Sequence, residues 1–202
     1  MPRRSALLLV LSGVLAIGAG ALLARLLGGG VALQSGTWLP HARPLAEFQL
    51  QDMSERNFDL NNLRGHPTLL FFGFTNCPDV CPTTLATLAQ LQRQAPLRGA
   101  EVVFVSIDPE RDSASALRAY LGAFSDRFVG LRGDRAALAP LLKSLNAIAV
   151  RDELPGGGYT MDHSATLYLL DTGGRLVAVF SPPFSAAALA SDLHRVDAAR
   201  RL

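Results

Sequence analysis

Residues 68–74, TLLFFGF, form a near-continuous apolar run with Pro67 on one side and a cysteine-bearing loop, NCPDVC, on the other. A strand with one solvated face alternates apolar and polar side chains, so an unbroken apolar run of this length predicts a strand covered on both faces. The next segment, Thr83–Gln94, sets Leu85, Leu88 and Leu91 at helical spacing, with Pro82 suited to a first-turn position. Strand, cysteine loop and helix therefore follow one another directly.

The remaining elements repeat this alternation. Phe48–Gln51 and Asn57–Leu60 flank a polar turn and read as a short hairpin; Glu101–Ile107, EVVFVSI, reads as a second buried strand. Asp112 is placed to cap a helix running to about Tyr120, and another helix fits Asp134–Leu145. A Pro/Gly loop, ELPGGGYTMD, leads into a strand at Ala165–Leu170, which Gly173-Gly174 turns back into Arg175–Phe180. Ser185–Arg195 closes the chain as a helix. Strands alternating with helices and ending in an antiparallel hairpin predict an α/β fold, a mixed central sheet flanked by helices.

Ahead of this domain, Arg3 and Arg4 precede Ala6–Ala24, 19 residues without a charge. As a helix that stretch is ~29 Å long, about one bilayer core. It predicts an N-terminal transmembrane helix within residues 1–27, then a flexible tether at 28–37 and a domain over 38–202. A cleaved signal peptide is the competing reading, since Ala19-Gly20-Ala21 fits a small-residue cleavage site. In both cases the arginines hold their end in the cytoplasm, and the domain faces an oxidising compartment across the membrane. The net charge of +2 comes from scattered side chains with no basic stripe, so no nucleic-acid partner is expected.

Cys77 and Cys81 are the two cysteines of the chain. A bridge between them would close a tiny ring and remove little unfolded-state entropy, so a purely structural disulfide is a poor use of them. Their position before a helix predicts thiolate character, and a four-residue separation lets both sulfurs face one way, to oxidise to each other or to converge on an ion. The histidines are at 41, 66, 163 and 194. His41, His66 and His194 read as structural or solvated, whereas His163 follows a glycine-rich loop able to bring it to the cysteines. Redox couple and metal clip both remain open on this reading.

The three stretches FFGFTNCPDVCPTTL (71–85), VSIDPERD (105–112) and DHSATLYLLD (162–171) together resemble the Sco/SenC family, thioredoxin-like copper chaperones of cytochrome c oxidase assembly. The likeness runs over about residues 45–195. It implies a thioredoxin-like fold, copper ligation by Cys77, Cys81 and His163, and a reversible Cys77–Cys81 disulfide. It also implies a single-pass protein of the inner membrane whose domain faces the periplasm. The partners implied are the copper-binding subunit of cytochrome c oxidase, a thiol–disulfide reductase and another periplasmic copper chaperone. Delivery of copper involves no substrate turnover, so the chain is not expected to be an enzyme. Two thiolates and an imidazole make a soft, low-coordinate site suited to Cu(I), whereas zinc usually demands a fourth ligand. Met161 is a soft donor near His163, and Asp79, Asp108 and Asp162 are candidates for hydrogen bonds that orient ligands.

The second reading is a membrane-tethered thiol–disulfide oxidoreductase. Thioredoxins are similar to one another in a two-residue spacer and a proline just before a strand like TLYLL; this chain has a three-residue spacer and Ala165 there. A thiol peroxidase is a third reading, prompted by a superficial likeness of FTNCPDVC to peroxiredoxin sites, which depend on one cysteine with a threonine and an arginine.

Overall fold

The computed structural model describes residue 19 and residues 31–94 and 99–200. Apart from Ala19, the expected anchor lies outside the described residues, and among those described no helix is long and apolar enough to cross a membrane.

In chain order the strands are β1 (Gly36–Arg43), β2 (Gln49–Asp52), β3 (Asn57–Asp59), β4 (Thr68–Gly73), β5 (Glu101–Ser106), β6 (Phe128–Arg132), β7 (Ala149–Glu153), β8 (Tyr159–His163), β9 (Leu167–Leu170) and β10 (Leu176–Phe180). The helices are α1 (Val80–Gln94), α2 (Ala114–Gly122), α3 (Arg135–Leu145) and α4 (Ala186–Arg200). Eight strands form one mixed sheet in the order β1-β10-β9-β4-β5-β6-β2-β3. Its centre, β4-β5-β6, is parallel, and the strands added on either side are antiparallel.

The apolar run behaves as its composition demands: all six residues of β4 are buried, and β4 sits inside the sheet between β5 and β9. Phe71, Phe72 and Phe104 are fully buried, each contributing about 1.5–3 kcal/mol by leaving water. Leu85, Leu88 and Leu91 of α1 are likewise inaccessible, as the helical spacing predicts, and α1 packs against α4. The expected hairpin at 48–60 is β2-β3, with Leu50 opposite Phe58, and β9-β10 is the second expected hairpin.

Four features depart from the expectations. First, α1 begins at Val80 rather than Thr83, so Cys81 lies in the helix's first turn. Second, the N-cap of α2 is Ser113, whose side chain accepts from the Ala116 amide. Asp112 is fully buried and turns the other way, toward the cysteine loop. Third, the expected Pro/Gly loop at 153–162 is the tip and second strand of a two-stranded ribbon, β7-β8. Fourth, β1 takes in the end of the stretch expected as a tether. Just before β1, the Gln34 and Ser35 amides donate to buried Asp192 of α4 at 2.7 and 2.9 Å.

Candidate metal centre

The parallel strand β4 ends at Gly73, and the chain turns through Phe74–Asp79 into α1. The Cys77 amide donates to the Phe74 carbonyl at 3.2 Å, and the Cys81 amide donates to Cys77 Sγ at 3.4 Å. The loop is thus curled so that an otherwise unpaired amide of the helix N-terminus satisfies a sulfur. Gly73 makes this possible: a Cβ there would lie 2.6 Å from Phe104 Cε2 and 2.9 Å from Cys81 Sγ. Any larger residue would occupy the space of the second thiol.

The third group arrives on the ribbon. His163 is the last residue of β8, and its Nε2 lies 3.5 Å from Cys81 Sγ. Its Nδ1 faces the Ser164 carbonyl at 3.2 Å. A carbonyl can only accept, so Nδ1 carries the proton and Nε2 presents its lone pair to the sulfurs. Phe71 and Phe74 fix the ring edge-on, with centroids 6.0 and 5.9 Å away. The donor atoms of Cys77, Cys81 and His163 lie within 4.8 Å of one another, and they form the candidate metal-holding group among the described residues. Metal–ligand bonds of about 2.0–2.3 Å place two donors of one ion up to ~4.6 Å apart, so only small side-chain shifts separate this arrangement from a closed site.

An open pocket of about 280 Å³ above the group is lined by Cys77, Met161 and His163, with Asp79 and Asp162 at its rim. Cys81 is inaccessible, Cys77 8 % exposed. The expectation of thiolate character at the helix start is corrected at Cys81. Burial pushes its thiol far above the ordinary range, and the hydrogen bond with Cys77 acts in the same direction. An incoming cation must therefore displace a proton from it. Burial pulls His163 below its usual value of 6.5, against the opposing effects of the Ser164 carbonyl and Asp162, which keeps the imidazole neutral and able to ligate at neutral pH.

The other candidates separate clearly. His41 and His194 are exposed and His66 is half-buried beside Thr68; none joins the group. Met161 shares a face of β8 with His163 and packs against the core, close enough to line the pocket. Asp162 is exposed on the opposite face of the strand, and the Ser164 carbonyl orients the imidazole in its place. Asp79 offers its backbone carbonyl to Thr83.

Asp108 is 2 % exposed and binds Tyr159 and Arg111 instead of a ligand. Sequence reasoning missed the part played by Asp112. Its carboxylate accepts from the Thr75 amide at 3.1 Å and from the Thr75 and Ser106 hydroxyls at 2.6 Å each. It thereby ties the cysteine loop to the end of β5. The acid's place in VSIDPERD was visible, but nothing in its spacing pointed to Thr75.

A mixed-sheet α/β domain with a Cys-Cys-His group at the end of a central parallel strand defines the class, a thioredoxin-like domain with a candidate metal site. The chain belongs to the SCO1/SenC family, whose profile matches residues 39–197. It is similar to the SCO2-like protein RC0895 of Rickettsia conorii, 33% identical over 140 residues that cover 66% of this chain and 67% of the relative. Mitochondrial SCO2 homolog of Bos taurus is 34% identical over 162 residues, 77% of this chain and 60% of the relative. Among solved structures, copper-bound ScoI of Bradyrhizobium japonicum shares 38% identity with a TM-score of 0.68, covering 75% of this chain and 98% of that one. Copper-bound yeast Sco1 shares 30% identity with a TM-score of 0.67, over 75% and 87% of the two chains.

Proposed function

We propose that this protein is a copper metallochaperone that holds one copper ion between Cys77, Cys81 and His163 and passes it to the copper centre of cytochrome c oxidase during assembly. The observation that carries the reading is the convergence of two sulfurs and one imidazole nitrogen within 4.8 Å, supported by solved relatives that contain copper. The donor set suits copper: two soft sulfurs and a neutral imidazole favour Cu(I).

In this reading a reductase first opens the Cys77–Cys81 disulfide, its own two thiols becoming a disulfide as two electrons and two protons pass to this chain. Copper is cargo. Its arrival releases the protons of the two thiols, while His163 contributes the lone pair of Nε2. The pocket over Cys77 leaves the ion approachable from one side, so donors of the recipient can replace those of the carrier one at a time. Another copper chaperone of the same compartment loads the site. Ala6–Ala24 anchors the protein in the inner membrane, with the domain in the periplasm. No step turns over a substrate, and the protein is a carrier rather than an enzyme.

Thiol–disulfide exchange with a partner is the second reading, favoured by the contrast between the outer sulfur of Cys77 and the inaccessible sulfur of Cys81. Titrating the reduced protein with Cu(I) against a competing chelator, beside a Cys77→Ser/Cys81→Ser variant, decides between the readings. Tight one-to-one binding lost in the variant supports the carrier. A reduced parent that cannot compete for copper supports exchange.

A further inference from the structure

Among the described residues, the ribbon that delivers His163 is hydrogen-bonded as a sheet only to itself, so side chains must hold it over the thiols. Tyr159 opens β8 and shares a face with Met161 and His163 by strand alternation. Its hydroxyl donates to buried Asp108 Oδ1 at 2.8 Å. Asp108 Oδ2 accepts from Arg111 Nε at 2.5 Å, and Arg111 Nη1 donates to the Tyr159 carbonyl at 3.0 Å.

Two guanidinium carbons lie over the Tyr159 ring, Arg111 at 3.9 Å and Arg151 at 3.6 Å from its centroid. Two such groups cannot share one face at that range, so the ring is clamped from both sides. Arg151, from β7, also reaches Glu110 at 2.9 Å. Among the described residues, every hydrogen-bond, ion-pair and cation–π partner that Tyr159 and Arg151 have outside the ribbon thus comes from residues 108–111, the start of DPERD. The same five residues end in Asp112, which holds the cysteine loop through Thr75. One short turn after β5 pins both halves of the site.

We propose that Tyr159, Asp108 and Arg111 form a catch whose closure positions His163 against the thiols, so that opening it removes the third ligand while Cys77 and Cys81 keep the cargo. Tyr159, Asp108 and Arg111 are positioning residues: they touch no copper and act through the ribbon. Tyr159 and His163 stand four residues apart on one strand, about 13 Å along it. A ribbon freed at Tyr159 no longer fixes the imidazole at its other end. The role in holding cargo rests on the copper reading above; the catch itself does not.

The test uses the full chain and Tyr159→Phe, which keeps the ring between the guanidiniums and deletes only the hydroxyl bond. In the reduced, metal-free protein, amides of residues 149–153 and 159–163 exchange with solvent roughly tenfold faster in the variant, as expected for losing a hydrogen bond to a charged group. Amides of β4 and β5 are unchanged. Cu(I) affinity falls in the parent background by a similar factor, yet Tyr159→Phe adds nothing in a His163→Ala background. Unchanged ribbon exchange in both Tyr159→Phe and Asp108→Asn overturns the catch. So does an affinity loss of the same size with and without His163. If the exchange shifts as expected but the parent binds no copper, the copper reading falls and the catch stands.

Discussion

Replacing Asp112 with alanine tests how the cysteine loop is held. The carboxylate accepts from the Thr75 amide, the Thr75 hydroxyl and the Ser106 hydroxyl. The Thr75 hydroxyl keeps a second acceptor, Asn76 Oδ1, at 3.1 Å, so two donors are orphaned: a backbone amide and the hydroxyl of fully buried Ser106. A buried donor left unsatisfied costs about 1–3 kcal/mol, which Ser106 meets in full and the half-buried Thr75 amide only at the lower end, for ~2–4 kcal/mol together.

That is a large share of the roughly 5–15 kcal/mol that holds a domain folded. Asp112→Asn keeps one oxygen acceptor and orphans fewer groups, with an expected loss of about 1–3 kcal/mol. The assay is urea unfolding of the reduced, metal-free protein, followed by fluorescence of Trp38, the one tryptophan of the chain, with the midpoint shifting at constant slope. Because Thr75 stands two residues before Cys77, the alanine variant also binds Cu(I) more weakly. A loss within about 0.5 kcal/mol, the range of an ordinary surface substitution, would refute the argument that this carboxylate frames the loop.

Gly73→Ala drives a methyl into Phe104 and Cys81 Sγ; about 1–3 kcal/mol of stability is lost to overpacking, and a chelator competition reads weaker copper binding beside it. The metal-free, reduced protein should be most stable between the ordinary values of the two shifted side chains of the candidate site, 6.5 for His163 and 9.0 for Cys81. His163 is lowered in the fold, so its contribution is complete above 6.5 and is lost as pH falls toward its folded value. Cys81 is raised, so its contribution is complete below 9.0 and is lost as pH rises beyond it. Denaturation midpoints across pH check both arms: His163→Gln flattens the acid arm and Cys81→Ser the alkaline one.

Where the chain's own chemistry is local, the sequence was readable. Thr68–Phe74 could only be a doubly covered strand, the leucines of α1 repeat at the helical period, and the Gly173-Gly174 turn joins β9 to β10. Elements that depend on distant partners were not. β6 is a short strand containing Gly130, held by its parallel pairing with β5. β1 carries Pro40 and His41, reads as linker, and becomes a strand by pairing with β10. Residues 149–163 are polar and glycine-rich, with the periodicity of neither a helix nor a buried strand, and form a ribbon by pairing with one another.

For the site, Cys77, Cys81 and His163 could be named because sulfur and imidazole are rare and chemically distinctive. The residues that hold them, Asp112 with Thr75 and Asp108 with Tyr159, are common types in common loop positions, separated by 37 and 51 residues. Only folding brings those pairs together. The thiolate expectation for Cys81 failed for a related reason. A helix N-terminus is visible in sequence, whereas the burial that outweighs it is a property of the packed sheet.

Copper K-edge X-ray absorption of the Cu(I)-loaded protein and of His163→Ala tests the central claim most directly. The account predicts two sulfurs and one nitrogen around copper in the parent. In the variant it predicts two sulfurs without that nitrogen, with copper held more weakly. A nitrogen that persists in His163→Ala, or a parent that binds copper through fewer than two sulfurs, would contradict it.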